Sequence, residues 1–106
     1  MAAKNITKQE FQELLKSAKP VLVDYWAPWC GYCRRIEPVY DRIGEEYSES
    51  LEVVKINTDE EHELARAEQI EVIPTLVLYV GGRYAGSIVA PESAAMIREF
   101  IEKTVV

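Results

Sequence analysis

The chain has 106 residues, a formal net charge of −6 at pH 7 and 48% hydrophobic residues. This length fits a single domain, residues 1–106, that can bury a core without disulfide or metal staples. The acidic balance argues against nucleic acid or an anionic membrane as a partner, because a phosphate backbone binds basic faces. Apolar runs of membrane-spanning or secretory-signal type are absent, so we expect a cytoplasmic monomer.

The first predicted element is a helix that begins at a capping box. Thr7 is its expected N-cap, Glu10 occupies the third helical position, and Pro20 ends it. Its apolar stripe consists of Phe11, Leu14, Leu15 and Ala18. Residues 21–26 then form a nearly continuous β-branched and aromatic run, which predicts a strand covered on both faces.

A second helix with Pro38 inside it is predicted by apolar residues at helical spacing. They are Ile36, Val39, Tyr40, Ile43 and Tyr47. Residues 51–57 predict another covered strand. A second capping box at residues 58–61 predicts a short helix through about Gln69.

The last three predicted elements are a hairpin and a helix. Two strands, residues 75–80 and 83–88, are joined through Gly81-Gly82. Ser93 is the expected cap of a helix whose apolar face carries Ala94, Ile97, Phe100 and Ile101. The resulting order is helix, strand, helix, strand, helix, strand, strand, helix. It predicts an α/β fold with a mixed central sheet and helices on both faces. The first three strands are expected to be parallel and the last pair antiparallel.

Cys30 and Cys33 lie three residues apart, just after a predicted buried strand and at the start of a helix. At this spacing both sulfurs can meet on one side of the helix. Unpaired N–H groups and the helix dipole favour a thiolate at Cys30, and a thiolate is the attacking species in disulfide exchange. We therefore expect Cys30 to be the nucleophile and Cys33 to resolve the mixed disulfide.

Other uses of the two cysteines are open at this point. A structural zinc site needs four ligands, whereas this chain offers two cysteines and His62, so only a site shared between subunits would serve. His62 lies among glutamates and is expected on a solvated acidic face. An inert buried pair would not need the tight turn that Trp29 and Gly31 indicate.

Residues 24–33, Asp-Tyr-Trp-Ala-Pro-Trp-Cys-Gly-Tyr-Cys, resemble the active-site stretch of thioredoxins. Pro38, Lys55, Gly82 and residues 73–75 (Ile-Pro-Thr) match the same family in order and spacing over essentially the whole chain. The resemblance implies a thioredoxin-like fold and reduction of disulfides in protein substrates. It also implies re-reduction by a partner such as thioredoxin reductase, with no bound cofactor and no metal.

Residue roles follow from the resemblance alone. Pro74 is implied to be cis and to face the cysteine pair, with the backbone beside Ile73 free to pair with an extended substrate segment. Asp24 is implied to lie beneath Cys33 and to move its proton. Burial should raise the pKa of Asp24, and Lys55 should oppose that rise. A purely structural Asp24–Lys55 pair is the alternative.

The expected substrate-contacting surface surrounds the cysteine pair. Trp29 is expected to provide apolar contact there, whereas Trp26 fits the core equally well. The full set consists of Trp29, Gly31, Tyr32, Ile73, Pro74 and Ala90.

Two positions depart from the family pattern. Tyr32 replaces the usual proline, which frees φ, restores an N–H donor and is expected to place a ring between the two sulfurs. We therefore predict a less reducing cysteine pair than in ordinary thioredoxins. Ala90 replaces a usual glycine, which either narrows the docking surface or is neutral drift.

Two other functions remain as alternatives. One is a glutathione-coupled, oxidising or isomerising variant of the same enzyme class, which Tyr32 alone suggests. The other is a non-catalytic thioredoxin-like binding module whose surface matters more than its thiols.

Overall fold

A mixed sheet of five strands runs through residues 3–105, which are the residues that the computed structural model describes. Met1, Ala2 and Val106, at the ends of the predicted 1–106 domain, lie outside them. The strands, in chain order, are β1 (Lys4–Asn5), β2 (Val21–Trp26), β3 (Glu52–Asn57), β4 (Thr75–Val80) and β5 (Arg83–Val89). Their order across the sheet is β1-β3-β2-β4-β5, so the predicted covered strand β2 lies at its centre.

Four helices flank this sheet within the described residues: α1 (Lys8–Leu14), α2 (Gly31–Glu46), α3 (His62–Ala67) and α4 (Ala94–Val105). The capping box of α1 is confirmed, because the Glu10 N–H donates to Thr7 Oγ1 and the Thr7 N–H donates to Glu10 Oε1. Ser93 caps α4 through a hydrogen bond from the Met96 N–H. None of these helices has the length and apolar composition needed to cross a membrane.

The helices lie on both faces of the sheet, as predicted. One core cluster packs the sheet against α2 and α4, and includes Leu22, Ile36, Tyr40, Ile43, Leu76, Leu78, Ile97 and Ile101. A second cluster packs the opposite face against α1 and α3, and includes Phe11, Val21, Val23, Tyr25, Val54, Ile56, Leu64 and Val77. Because side chains alternate along a strand, Asp24 and Lys55 point to the face that α2 covers.

The predicted parallel direction of the third long strand is wrong. β2 and β3 are parallel, but β4 runs antiparallel to β2 and pairs antiparallel with β5. Trp26 is aligned with Asn57 and Tyr25 with Thr75, so the segment between β3 and β4 starts and ends at the same end of the strands. Helix α3 in this segment has six residues and spans about 9 Å, so it does not carry the chain back along a strand of about 20 Å. β4 therefore begins where β3 ends and runs in the opposite direction.

The second predicted capping box is also wrong. The Asn57 side chain accepts hydrogen bonds from the N–H groups of Asp59 and Glu60, which holds this segment in a turn. Helix α3 therefore begins only at His62, after Glu61, with no side-chain cap, and it ends at Ala67 rather than near Gln69.

Two smaller differences concern the N-terminal part of the chain. Strand β1, which pairs parallel with β3, was not predicted, because two residues carry no periodicity. Helix α1 ends at Leu14, so Ala18 is exposed instead of belonging to the apolar stripe.

The hairpin between β4 and β5 turns on two glycines, as predicted. Gly81 and Gly82 have φ values of 62° and 79°, in the left-handed region that glycine tolerates best. A Cβ at Gly82 would also lie 3.0 Å from the Leu15 carbonyl oxygen. The turn consequently packs directly against the end of α1.

Candidate active site

Cys30 and Cys33 form a disulfide at the N-terminus of α2, with their Cα atoms 5.3 Å apart. Strand β2 ends at Trp26, and the Cys30 N–H donates to the Ala27 carbonyl, which closes the turn into the helix. Cys30 is the N-cap of α2, and its Sγ accepts a hydrogen bond of 3.1 Å from the Cys33 N–H. The helix start therefore directs a backbone donor at the sulfur that would carry a thiolate charge.

Asp24 is a buried carboxyl in the central strand. Burial raises its pKa from 3.8 to about 7, Lys55 opposes the rise, and Glu37 and Asp41 add to it. Its Oδ1 has no hydrogen-bond partner among residues 3–105. A carboxyl with a pKa near neutrality can both give and accept a proton at physiological pH.

Lys55 lies beside Asp24 in the sheet but does not pair with it. The two residues are aligned across β2 and β3, yet the ion pair of Lys55 within residues 3–105 is with Glu37, at 2.9 Å between Nζ and Oε2. The same ammonium lies 5.4 Å above the Trp26 ring. The alternative of an Asp24–Lys55 structural pair is therefore not the arrangement found.

Glu37, the ion-pair partner of Lys55, was not predicted from the sequence. It lies four residues after Cys33 on α2, and residues at this spacing share a helix face. That spacing was the available signal, because it places a carboxylate on the same side of the helix as the resolving cysteine.

The segment before β4 contains a cis peptide bond between Ile73 and Pro74, as the family resemblance implies. Pro74 is buried, and its carbonyl accepts a 2.9 Å hydrogen bond from the Ala90 N–H. Ile73 is half-buried, whereas its neighbour Val72 is 52% exposed and was not among the predicted surface residues.

Ala90 has a φ of 46°, in the left-handed region. A Cβ is disfavoured there, which gives a physical reason for the usual glycine. We expect Ala90→Gly to raise the free energy of unfolding by about 1 kcal/mol, measured by urea denaturation. Ala85→Gly, in β5, is the control and should be destabilising; a destabilised Ala90→Gly protein would contradict the strain at Ala90.

Trp29 is 69% exposed, and its indole N–H donates to the Asp59 carboxylate at 3.0 Å. Trp29 and Ile73 line the same groove of about 910 Å³ beside α3. Trp26 is half-buried and donates its indole N–H to Asn5 at 2.7 Å, so it joins the central strand to β1. The structure thus separates a largely exposed Trp29 from a half-buried Trp26.

Tyr32 does not place its ring between the two sulfurs, which are bonded to each other. Its hydroxyl donates to the Pro91 carbonyl at 2.9 Å, and its ring packs against the first core cluster. The Arg35 guanidinium lies 5.9 Å from the ring centroid. The expected ring position between the sulfurs was wrong because the Tyr32 hydroxyl has an acceptor, the Pro91 carbonyl, in the loop before α4. Gly31, by contrast, is exposed, with space for a Cβ.

Metal-ligating side chains do not gather elsewhere in the described part of the chain. Within residues 3–105, no group of three or more histidine, cysteine or acidic side chains could hold an ion. His62 is exposed at the first position of α3.

Comparison with known proteins shows the family of the chain. The family model described as Thioredoxin matches residues 2–103. The chain belongs to the thioredoxin family. It is 43% identical over 103 residues to thioredoxin 1 of a Nostoc species, covering 96% of each chain. It is 40% identical over 103 residues to a thioredoxin of Synechocystis, again covering 96% of each. An M-type chloroplastic thioredoxin of Chlamydomonas reinhardtii is 46% identical over 90 residues, which are 85% of this chain and 64% of that one.

Family membership and the disulfide at the start of α2 together define the activity. The protein is a dithiol–disulfide oxidoreductase of the thioredoxin type, and its mixed sheet with helices on both faces is the thioredoxin-like fold. Disulfide-containing substrates and a reductase partner belong to that activity in general terms.

Proposed function

We propose that the protein reduces disulfides in protein substrates, with Cys30 as nucleophile and Cys33 as resolving thiol. The Cys30 thiolate attacks one substrate sulfur, and the other substrate sulfur leaves as a thiolate. Cys33 then attacks the Cys30 sulfur and releases the second substrate thiol. Two electrons pass to the substrate, and the Cys30–Cys33 disulfide remains. The hydrogen bond from the Cys33 N–H to Cys30 Sγ carries the assignment, since it favours a thiolate at Cys30.

Asp24 is proposed to accept the proton of Cys33 as that thiol attacks. Supporting this role, burial raises the pKa of Asp24 to about 7, so that both protonation states are populated near neutral pH. Lys55 is proposed to modulate this group from the neighbouring strand.

The proposed substrate surface surrounds the disulfide. Trp29 supplies exposed apolar area, and Ile73 lines the groove beside it. The backbone around the cis Ile73–Pro74 bond is proposed to pair with an extended substrate segment. Gly31 and Tyr32, next to the cysteines in the chain, and Ala90, whose N–H donates to the Pro74 carbonyl, complete the proposed surface.

The reducing partner and the compartment complete the proposal. A thioredoxin reductase is the proposed electron donor, and the two cysteines would carry the electrons without a bound cofactor. We propose that a single-domain monomer acts in the cytoplasm, where a close cysteine pair seldom serves as a structural staple.

Trapping experiments with single-cysteine variants test the two cysteine roles. With a disulfide-containing protein such as insulin as substrate, Cys33→Ser should accumulate a mixed disulfide through Cys30, because the resolving thiol is missing. Non-reducing electrophoresis and mass spectrometry detect the adduct. The matched control, Cys30→Ser, should trap little, since Cys33 is 3% exposed. Equal trapping by both variants would contradict the assignment, and a binding module would keep its partners with either cysteine replaced.

A further inference from the structure

The environment of Asp24 contains a carboxylate that its proposed role does not use. Lys55 is the cation beside Asp24, aligned with it across the sheet. Its side chain is 9% exposed, and its ammonium is held by Glu37 at 2.9 Å. Asp24 Oδ1, meanwhile, has no hydrogen-bond partner in the described part of the chain. The nearest buried cation is therefore turned toward the helix instead of toward the strand carboxyl.

Glu37 reaches Lys55 from the same face of α2 that carries Cys33. Its side chain is 46% exposed, so its charge is partly solvated and costs less to maintain than a buried one. Lys55 is also confined by the Trp26 ring, 5.4 Å from its Nζ. Lys55 is thus held by two contacts, one with α2 and one with β2.

We propose that Glu37 is a positioning residue that holds the Lys55 ammonium away from Asp24 and thereby disfavours the charged form of that carboxyl. Without Glu37, Lys55 can turn toward Asp24 and stabilise its carboxylate, because an opposite charge within reach favours the charged form. This inference rests on the proposed function, since a tuned Asp24 matters only if Asp24 handles the Cys33 proton.

The other groups around Asp24 do not substitute for this contact. Tyr40, on α2, is fully buried, and burial raises its pKa well above the usual value, so it stays neutral. Asp41, also on α2, accepts a hydrogen bond from the Ala3 N–H and contributes a raising influence on the pKa of Asp24. From β4, the aligned neighbour is the apolar Leu76. Lys55 is therefore the one cation among these groups, and its ion-pair partner is Glu37.

The test is a direct titration of the Asp24 carboxyl by carbon-detected NMR in the reduced protein. Glu37→Gln should lower the titration midpoint of Asp24 by roughly one pH unit, because the freed ammonium stabilises the carboxylate. Asp41→Asn is the matched control, since it removes a negative charge from the same helix without touching Lys55. It should produce a smaller shift.

A second background separates positioning from simple charge repulsion. In Lys55→Met protein, Glu37→Gln should lose most of its effect on the Asp24 midpoint, because no ammonium is left to redirect. An unchanged midpoint in Glu37→Gln, or an equal shift in both backgrounds, would overturn the proposal.

The rate of substrate reduction against pH tests the proposed role of Asp24 separately. If the NMR midpoint shifts and the rate profile follows it, both the positioning by Glu37 and the proton transfer by Asp24 stand. If the midpoint shifts while the rate profile stays, Glu37 positions Lys55 but Asp24 does not handle the proton.

Discussion

Replacing Asp24 with asparagine is expected to remove a loss of stability that the oxidised wild-type protein suffers as pH rises from 3.8 to about 7. Below this window the carboxyl is protonated in both the folded and the unfolded chain. Within it the unfolded chain releases the proton first, so unfolding becomes progressively more favourable. Above it the full penalty applies. A shift of about three pKa units corresponds to about 4 kcal/mol.

Urea unfolding of both proteins across this pH range measures the effect. The free energy of unfolding of Asp24→Asn minus that of the wild type should grow by about 4 kcal/mol between the two ends. This difference in slope does not depend on any constant cost of burying the amide. Glu63→Gln, which removes an exposed carboxyl from α3, is the control and should keep the wild-type dependence. Parallel curves for wild type and Asp24→Asn would show that the Asp24 pKa is not raised by folding.

Replacing Tyr32 with proline is expected to make the Cys30–Cys33 pair more reducing. Residue 32 lies in the first turn of α2, where N–H groups lack intrahelical acceptors and can stabilise a thiolate at Cys30. Proline removes one such donor and destabilises the reduced state. The reduction potential should fall by roughly 30–60 mV, or about 1.4–2.8 kcal/mol for a two-electron couple.

Equilibration with thiol–disulfide buffers, followed by tryptophan fluorescence, gives the potential of each variant. Tyr32→Phe is the matched control, because it keeps the N–H but loses the hydrogen bond to Pro91. Its potential should stay close to that of the wild type. If Tyr32→Phe and Tyr32→Pro lower the potential equally, the hydrogen bond to Pro91 sets the potential and the N–H of residue 32 does not. If Tyr32→Pro raises the potential, the account of this position is wrong.

Local signals in the sequence predicted most of the elements but not their directions. The capping box at Thr7 formed as predicted, with both of its hydrogen bonds present. The same pattern at Thr58 did not cap a helix, because the Asn57 side chain accepts hydrogen bonds from the N–H groups of Asp59 and Glu60. β4 is antiparallel to β2 because the segment that contains α3 begins and ends at the same end of the strands, whereas the sequence pattern predicted a crossover helix there.

The cysteine site was predictable because its residues lie close together in the chain. Cys30, Cys33 and the strand before them form one continuous segment, so the position of the pair between a strand and a helix favoured disulfide exchange. The long-range side-chain contacts around the site join distant positions. Tyr32 meets Pro91 across 59 residues, and Lys55 meets Glu37 across 18. No local pattern specifies which acceptor such a side chain will reach, so these contacts emerge only from the packed structure.

Cys30 and Cys33 are expected to form one reversible redox couple. The most direct test is to equilibrate the protein in graded mixtures of reduced and oxidised dithiothreitol, alkylate the free thiols and count the labels by mass spectrometry. We expect one transition between molecules with two labels and molecules with none, centred at a single potential. Substantial amounts of singly labelled protein across the transition, or two labels at every potential, would contradict it.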